Sequence, residues 1–126
     1  MGIFSWLTGR RSVRGSVLAL YKRGLSRAVK HDPDGAMEAY SAAIKQPDAP
    51  EDLKAMALYN RALLFAAEGE DAKAVADLEA VLATPAELRE IKAAAKRRLE
   101  RMQHRKDLTA ELRSARRRPT DELAGE

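Results

Sequence analysis

Two stretches decide the reading of this chain: LYKRGLSRAVKHDPDGAMEAYSAAIKQP, residues 20–47, and LYNRALLFAAEGEDAKAVADLEAVLATP, residues 58–85. Sliding the sequence by 38 residues lays one on the other without a gap, and 8 of the 28 pairs are identical. They are Leu20/Leu58, Tyr21/Tyr59, Arg23/Arg61, Leu25/Leu63, Ala28/Ala66, Ala36/Ala74, Ala42/Ala80 and Pro47/Pro85. Gly24/Ala62, Ala43/Val81 and Ile44/Leu82 are conservative. The matched Tyr-x-Arg-small run and the closing Pro point to an internal repeat rather than to shared composition.

Each unit reads as two helices. Leu18, Tyr21, Leu25 and Val29 recur at helical spacing and predict a helix from Val17 to about Lys30. Asp32-Pro33 has the form of an N-cap followed by Pro at the first helical position. The next helix runs to about Lys45, with Ala36, Met37, Tyr40, Ala43 and Ile44 on one side. In the second unit Pro50-Glu51-Asp52 opens a helix with negative charge at its positive end. Met56, Tyr59, Leu63 and Phe65 follow, and Gly69 supplies a left-handed stop. Asp71 to Ala83 makes the fourth helix, with Ala74, Val75, Leu78, Val81 and Leu82 inward. Thr84-Pro85-Ala86-Glu87 has the form of a capping box and is expected to start a fifth, whose apolar stripe is Leu88, Ile91, Ala95, Leu99 and Met102. Leu108 and Leu112 leave open whether it reaches Arg118; Pro119 is expected to end it.

This pattern resembles the tetratricopeptide repeat family. The small residue of the first helix is matched by Gly24 and Ala62, and the large residue four places earlier by Leu20 and Leu58. The following aromatic is Phe65 in the second unit but Arg27 in the first, and the turn Gly is Gly69 but His31. Second-helix positions are matched by Ala36, Tyr40 and Ala43, then Ala74, Leu78 and Val81. Pro47 and Pro85 close the units one residue early, and the family period of about 34 is stretched to 38 within the Pro47–Lys54 connection. The resemblance covers roughly residues 17–85, and reaches about 102 with a capping helix. It implies an all-α fold: a right-handed α-solenoid of about two helical hairpins plus a C-terminal capping helix. Residues 1–15 then form an N-terminal amphipathic, basic segment, 16–105 the helical domain, and 106–126 a tail, basic then acidic, helical or disordered.

The same resemblance implies a concave groove lined by first helices. It places Tyr21, Lys22, Leu25, Met56, Tyr59, Asn60 and Leu63 there as partner-binding residues, with Val29 and Ala66 close by. Asn60 matches a position that bonds a bound peptide's backbone in family members, and an amide both donates and accepts. Tyr offers broad contact area and a hydroxyl. The competing explanation is that these side chains only pack between neighbouring helices. A clamp for a C-terminal carboxylate is disfavoured, because only Asn60 fits its pattern while Tyr21 and Leu25 stand at matching places. Arg61 is placed to reach Asp77; Arg23 faces Ala39 at the equivalent place and has Glu38 as its substitute.

The chain has 126 residues, 45% of them hydrophobic, so one domain with a real core is expected. Only 5% are aromatic, and abundant Ala favours packed helices. The absence of Cys excludes disulfides, thiolate metal sites and a Cys nucleophile. Net charge is +4, but it is segregated: +7 over residues 1–31, −7 over 32–85, +7 over 86–118 and −3 over 119–126. These blocks either attract one another within the fold or give an acidic body two basic ends for an anionic partner.

At the first end Ile3, Phe4, Trp6 and Leu7 can form an apolar face, followed by Arg10, Arg11 and Arg14. Such a segment contacts an anionic membrane surface, or docks on the repeats or on a second copy. It lacks the form of a signal peptide, and Trp6 stands where a myristoylation signal needs Ser or Thr. At the other end Lys96-Arg97-Arg98, Arg101, Arg105-Lys106, Arg113 and Arg116-Arg117-Arg118 can neutralise phosphates, but no aromatic is present to stack on bases, which disfavours nucleic acid.

No catalytic motif is visible. His31 and His104 are isolated, His31 at a turn where a local hydrogen bond is the usual role, and the acids of 68–79 lack calcium-loop spacing. No cofactor and no metal are expected. The expected function is a non-catalytic protein–protein adaptor or assembly module binding a peptide or helix of another protein. The alternatives are a peripheral membrane adaptor anchored by residues 1–14 and a nucleic-acid accessory protein using the basic C-terminal helix. Self-association that extends the stack is compatible with the first. A cytoplasmic location follows, peripheral at the membrane if the first segment meets lipid.

Overall fold

In a computed structural model, the backbone of residues 2–124 and the side chains of residues 13–117 are described. The described residues form five helices and no strand: α1 (Gly2–Val29), α2 (Pro33–Lys45), α3 (Glu51–Ala67), α4 (Asp71–Ala83) and α5 (Arg89–Ala124). The chain is all-α. Each helix packs on its neighbours in sequence, α3 touches both α1 and α5, and among the described residues α1 and α5 make no contact, nor do α2 and α4.

The 38-residue step holds in the backbone. Asp32 N–H donates to Arg27 O at 2.9 Å, and Glu70 N–H to Phe65 O at 2.8 Å. His31 N–H bonds Ala28 O and Gly69 N–H bonds Ala66 O, both at 3.1 Å. His31 and Gly69 are both left-handed, with φ of 60° and 79°. Gln46 and Thr84 close α2 and α4 at φ −61°, each donating its N–H to the carbonyl three residues back. Asp32 caps α2 as expected, accepting from Gly35 N–H at 3.0 Å, with Pro33 behind it.

Burial follows the same step. Val17/Ala55, Gly24/Ala62, Ala36/Ala74, Tyr40/Leu78 and Ala43/Val81 are buried in both units. Val17, Tyr21, Ala36, Tyr40, Ala43, Leu53 and Ala57 fill one core between α1, α2 and α3. Ala55, Leu58, Ala62, Ala74, Leu78, Val81 and Ala95 fill another between α3, α4 and α5. The step continues into α5, where Ala95 takes the buried place of Ala57 and the half-buried Ile91 that of Leu53. Buried alanines at so many interface positions leave room for close helix–helix packing.

Four expectations are corrected. The first helix starts at Gly2 rather than at Val17. Thr84 does not cap the fifth helix. It ends α4, with its hydroxyl on Ala80 O at 3.1 Å, and α5 starts only at Arg89. The helix passes Pro119 to Ala124; Pro forgoes one backbone bond, and at Ala115, in an exposed stretch, water can satisfy the freed carbonyl. Leu82 is 36% exposed rather than inward, because α4 buries only one stripe.

Candidate partner-binding face

Helices α1 and α3 lie side by side, and Tyr21 and Asn60 join them. Asn60 Nδ2 donates to Tyr21 Oη at 3.2 Å and to Met56 O at 2.9 Å. Tyr21 is only 8% exposed and its ring stands 6.0 Å from that of Tyr40. Burial pushes the Tyr21 hydroxyl above the ordinary tyrosine value of 10, opposed by the bond from Asn60. Tyr21 is thus mainly a packing residue, and the Asn60 amide spends its donors within the chain. Its carbonyl oxygen is what Asn60 can offer a peptide N–H.

The remaining candidates are more open. Lys22 is exposed, Leu25 is 37% exposed, and Met56, Tyr59 and Leu63 are half-buried. Lys22, Leu25, Asn60 and Leu63 are related in pairs by the 38-residue step, so they occupy matching steps on adjacent helices. Met56 also lines an open cleft of about 540 Å³ with Asp52, Glu87, Leu88, Arg89, Glu90 and Ile91. This cleft was hidden from sequence reading because it needs α5 beside α3. At its edge Arg14 and Asp52 pair at 2.9 Å, and the hydrogen bond from Arg14 holds the Asp52 carboxyl below its ordinary range. The side chains of Ile3, Phe4, Trp6, Leu7, Arg10 and Arg11 lie outside the described residues.

Arg61 does reach Asp77, with two parallel bonds of 2.8 Å. It also donates to Ser41 Oγ at 3.2 Å and lies 5.5 Å over the Phe65 ring. One guanidinium thereby ties α2, α3 and α4 together. The Ser41 contact crosses between units, beyond what spacing within one unit can show. Arg23 and Glu38 line one cleft without an ion pair between them, so the expected substitute pair is not formed. Their helices bring them to one surface, where solvation competes with pairing.

The basic helix α5 splits into two sides. Arg105, Lys106 and Arg113 share a cleft with Asp71, whereas Arg97 and Arg101 share an open hollow of about 350 Å³ with Glu100 and His104. His31 is a turn residue. Among the described residues no three His, Asp or Glu side chains gather as a metal site. Nor is any described helix long and apolar enough to cross a membrane. Comparison with protein-family models, curated proteins and solved structures finds no match for this chain.

Proposed function

We propose that the chain is a non-catalytic protein–protein interaction module: two tetratricopeptide-like hairpins stacked in series, closed by α5, binding a peptide or helix on the side offered by α1, α3 and α5. The observation that carries this reading is the 38-residue step, which recurs in turn conformation, capping bonds and burial. A hairpin of this kind cannot bury its apolar faces alone, so neighbours stack and a last helix covers the end. Ile91, Leu99 and Met102 of α5, with Leu88 just before it, pack on the second core, while the exposed Lys96, Glu100 and Gln103 leave the outer side polar. That is what a closing helix requires.

The test is affinity capture from the native host with wild type beside Leu25→Ala/Tyr59→Ala/Leu63→Ala. Tyr21 is left intact because it is buried. Circular dichroism checks the fold of the variant. A protein partner held by wild type and lost by the folded variant supports the reading; retention of the same partners refutes it. A second reading, a peripheral membrane adaptor, draws on α1 being one helix from Gly2, so that the stretch holding Ile3, Phe4, Trp6 and Leu7 is continuous with the helix that packs in the first core. Binding to phosphatidylserine vesicles, lost on deleting residues 1–11, would favour it.

A further inference from the structure

Within the stacked-hairpin reading, α5 speaks to the chemistry of the partner. The step that carries Tyr21 to Tyr59, Lys22 to Asn60 and Leu25 to Leu63 carries them on to Arg97, Arg98 and Arg101. The third rung of the binding side is therefore guanidinium. Arg97 and Arg101 stand one turn apart on one face, an arrangement that costs helix stability through like-charge repulsion. Glu100 shares their hollow but closes no ion pair with either. The Nε of Arg98 is buried with no hydrogen-bond partner. The more C-terminal cations, by contrast, have Asp71 of the same chain in their cleft.

Exposed apolar side chains gather on the same side. Of the five large hydrophobics exposed among the described residues, Leu25 and Val29 lie on the binding side of α1, and Leu108 and Leu112 continue the line of Arg101 along α5. Only Leu82 lies elsewhere. Arginines set among exposed leucines match an amphipathic acidic chain rather than a phosphate backbone, and α5 has no Phe, Tyr or Trp to stack on bases.

We infer that this side binds an acidic, leucine-bearing segment of a partner protein. Its carboxylates meet Arg97 and Arg101, and its apolar side chains meet Leu25, Leu63, Leu108 and Leu112. Carboxylate–guanidinium pairs supply orientation and charge selectivity, while the leucines supply area.

The test is selection from a displayed library of random peptides about 20 residues long, about 30 Å as a helix. The full chain is the bait, and the strongest binders are synthesised. The selected pool is expected to be acidic and rich in Leu. Affinity should fall about tenfold or more with Arg97→Gln/Arg101→Gln, and also between about 50 and about 300 mM salt. Both arginines are exposed, so this variant keeps its fold, which circular dichroism verifies. Peptides that are neutral or basic, ignore the arginine variant and still need Leu25 and Leu63 would overturn the acidic partner while leaving the binding side standing. A selection that yields no binder, or binders indifferent to both sets of substitutions, would remove both readings. A mixed-sequence single-stranded RNA that binds through Arg97 and Arg101, with peptides that do not, would also overturn the inference.

Discussion

The two hairpins share a backbone and fill it differently. In the first, a Cβ added at Gly24 would fall on the Tyr40 ring; in the second, Ala62 faces the smaller Leu78. A large ring with no side chain opposite and a smaller chain with a methyl opposite are two solutions to one volume. The second hairpin holds its helices with Arg61 and Asp77; the first has Arg23 against Ala39 with no pair at that place, and has instead an exposed pair at its turn, Arg27 with Asp32 at 3.2 Å. The second turns on Gly69, the first on His31. The repeat thus conserves geometry, not chemistry, and the second hairpin carries more of the specific contacts.

That contrast can be broken at its strongest point first. Gly24→Ala should cost about 3 kcal/mol in urea denaturation, because the ring must move within a packed core. Gly24→Ala/Tyr40→Leu rebuilds the second hairpin's pair in the first and should recover at least half of the loss. Asp77→Ala leaves Arg61 without its carboxylate at a site where the two side chains are only 19% and 9% exposed, and should cost about 2 kcal/mol. Arg23→Ala should stay within about 0.5 kcal/mol. Equal costs for Asp77→Ala and Arg23→Ala would abolish the contrast.

At the turns, His31→Gly should stabilise by up to about 1 kcal/mol and Gly69→Ala should destabilise by about 1 kcal/mol, since both places are left-handed. The smallest effect belongs to Asp52. Its carboxyl titrates below the ordinary value of 3.8 because Arg14 donates to it, so the pair's contribution is complete above that value. It fades as pH falls through the lower, folded-state value. The Asp52 side chain is 42% exposed, so comparison with Asp52→Asn should show only a small difference near neutral pH, and that difference should vanish at acid pH.

Features set by local spacing were legible in the sequence. The Asp32 cap, the Gly69 stop, the span of α4 and the Arg61–Asp77 pair each depend on residues close in one unit. What escaped depends on competition or on a neighbour. Thr84 suits a helix start in isolation, but the end of α4 claims it first. Pro119 reads as a terminator unless the freed carbonyl sits in water. Asn60 reads as a ligand for a peptide until Tyr21, from the adjacent hairpin, takes its donor. The arginine rung on α5 becomes visible only when the 38-residue step is followed past the second hairpin and the exposed leucines are placed beside it.

The binding account stands on α1, α3 and α5 forming a row rather than a closed bundle. The absence of Cys allows labels at two chosen sites alone. Val29 and Arg105 are exposed and two repeat steps apart, so Val29→Cys/Arg105→Cys carrying spin labels reports the span of the row. Two interhelical steps predict a backbone separation of about 20 Å, with α3 between. A separation of about 10 Å, the distance of helices in direct contact, would mean that α5 closes back on α1 and would contradict the account.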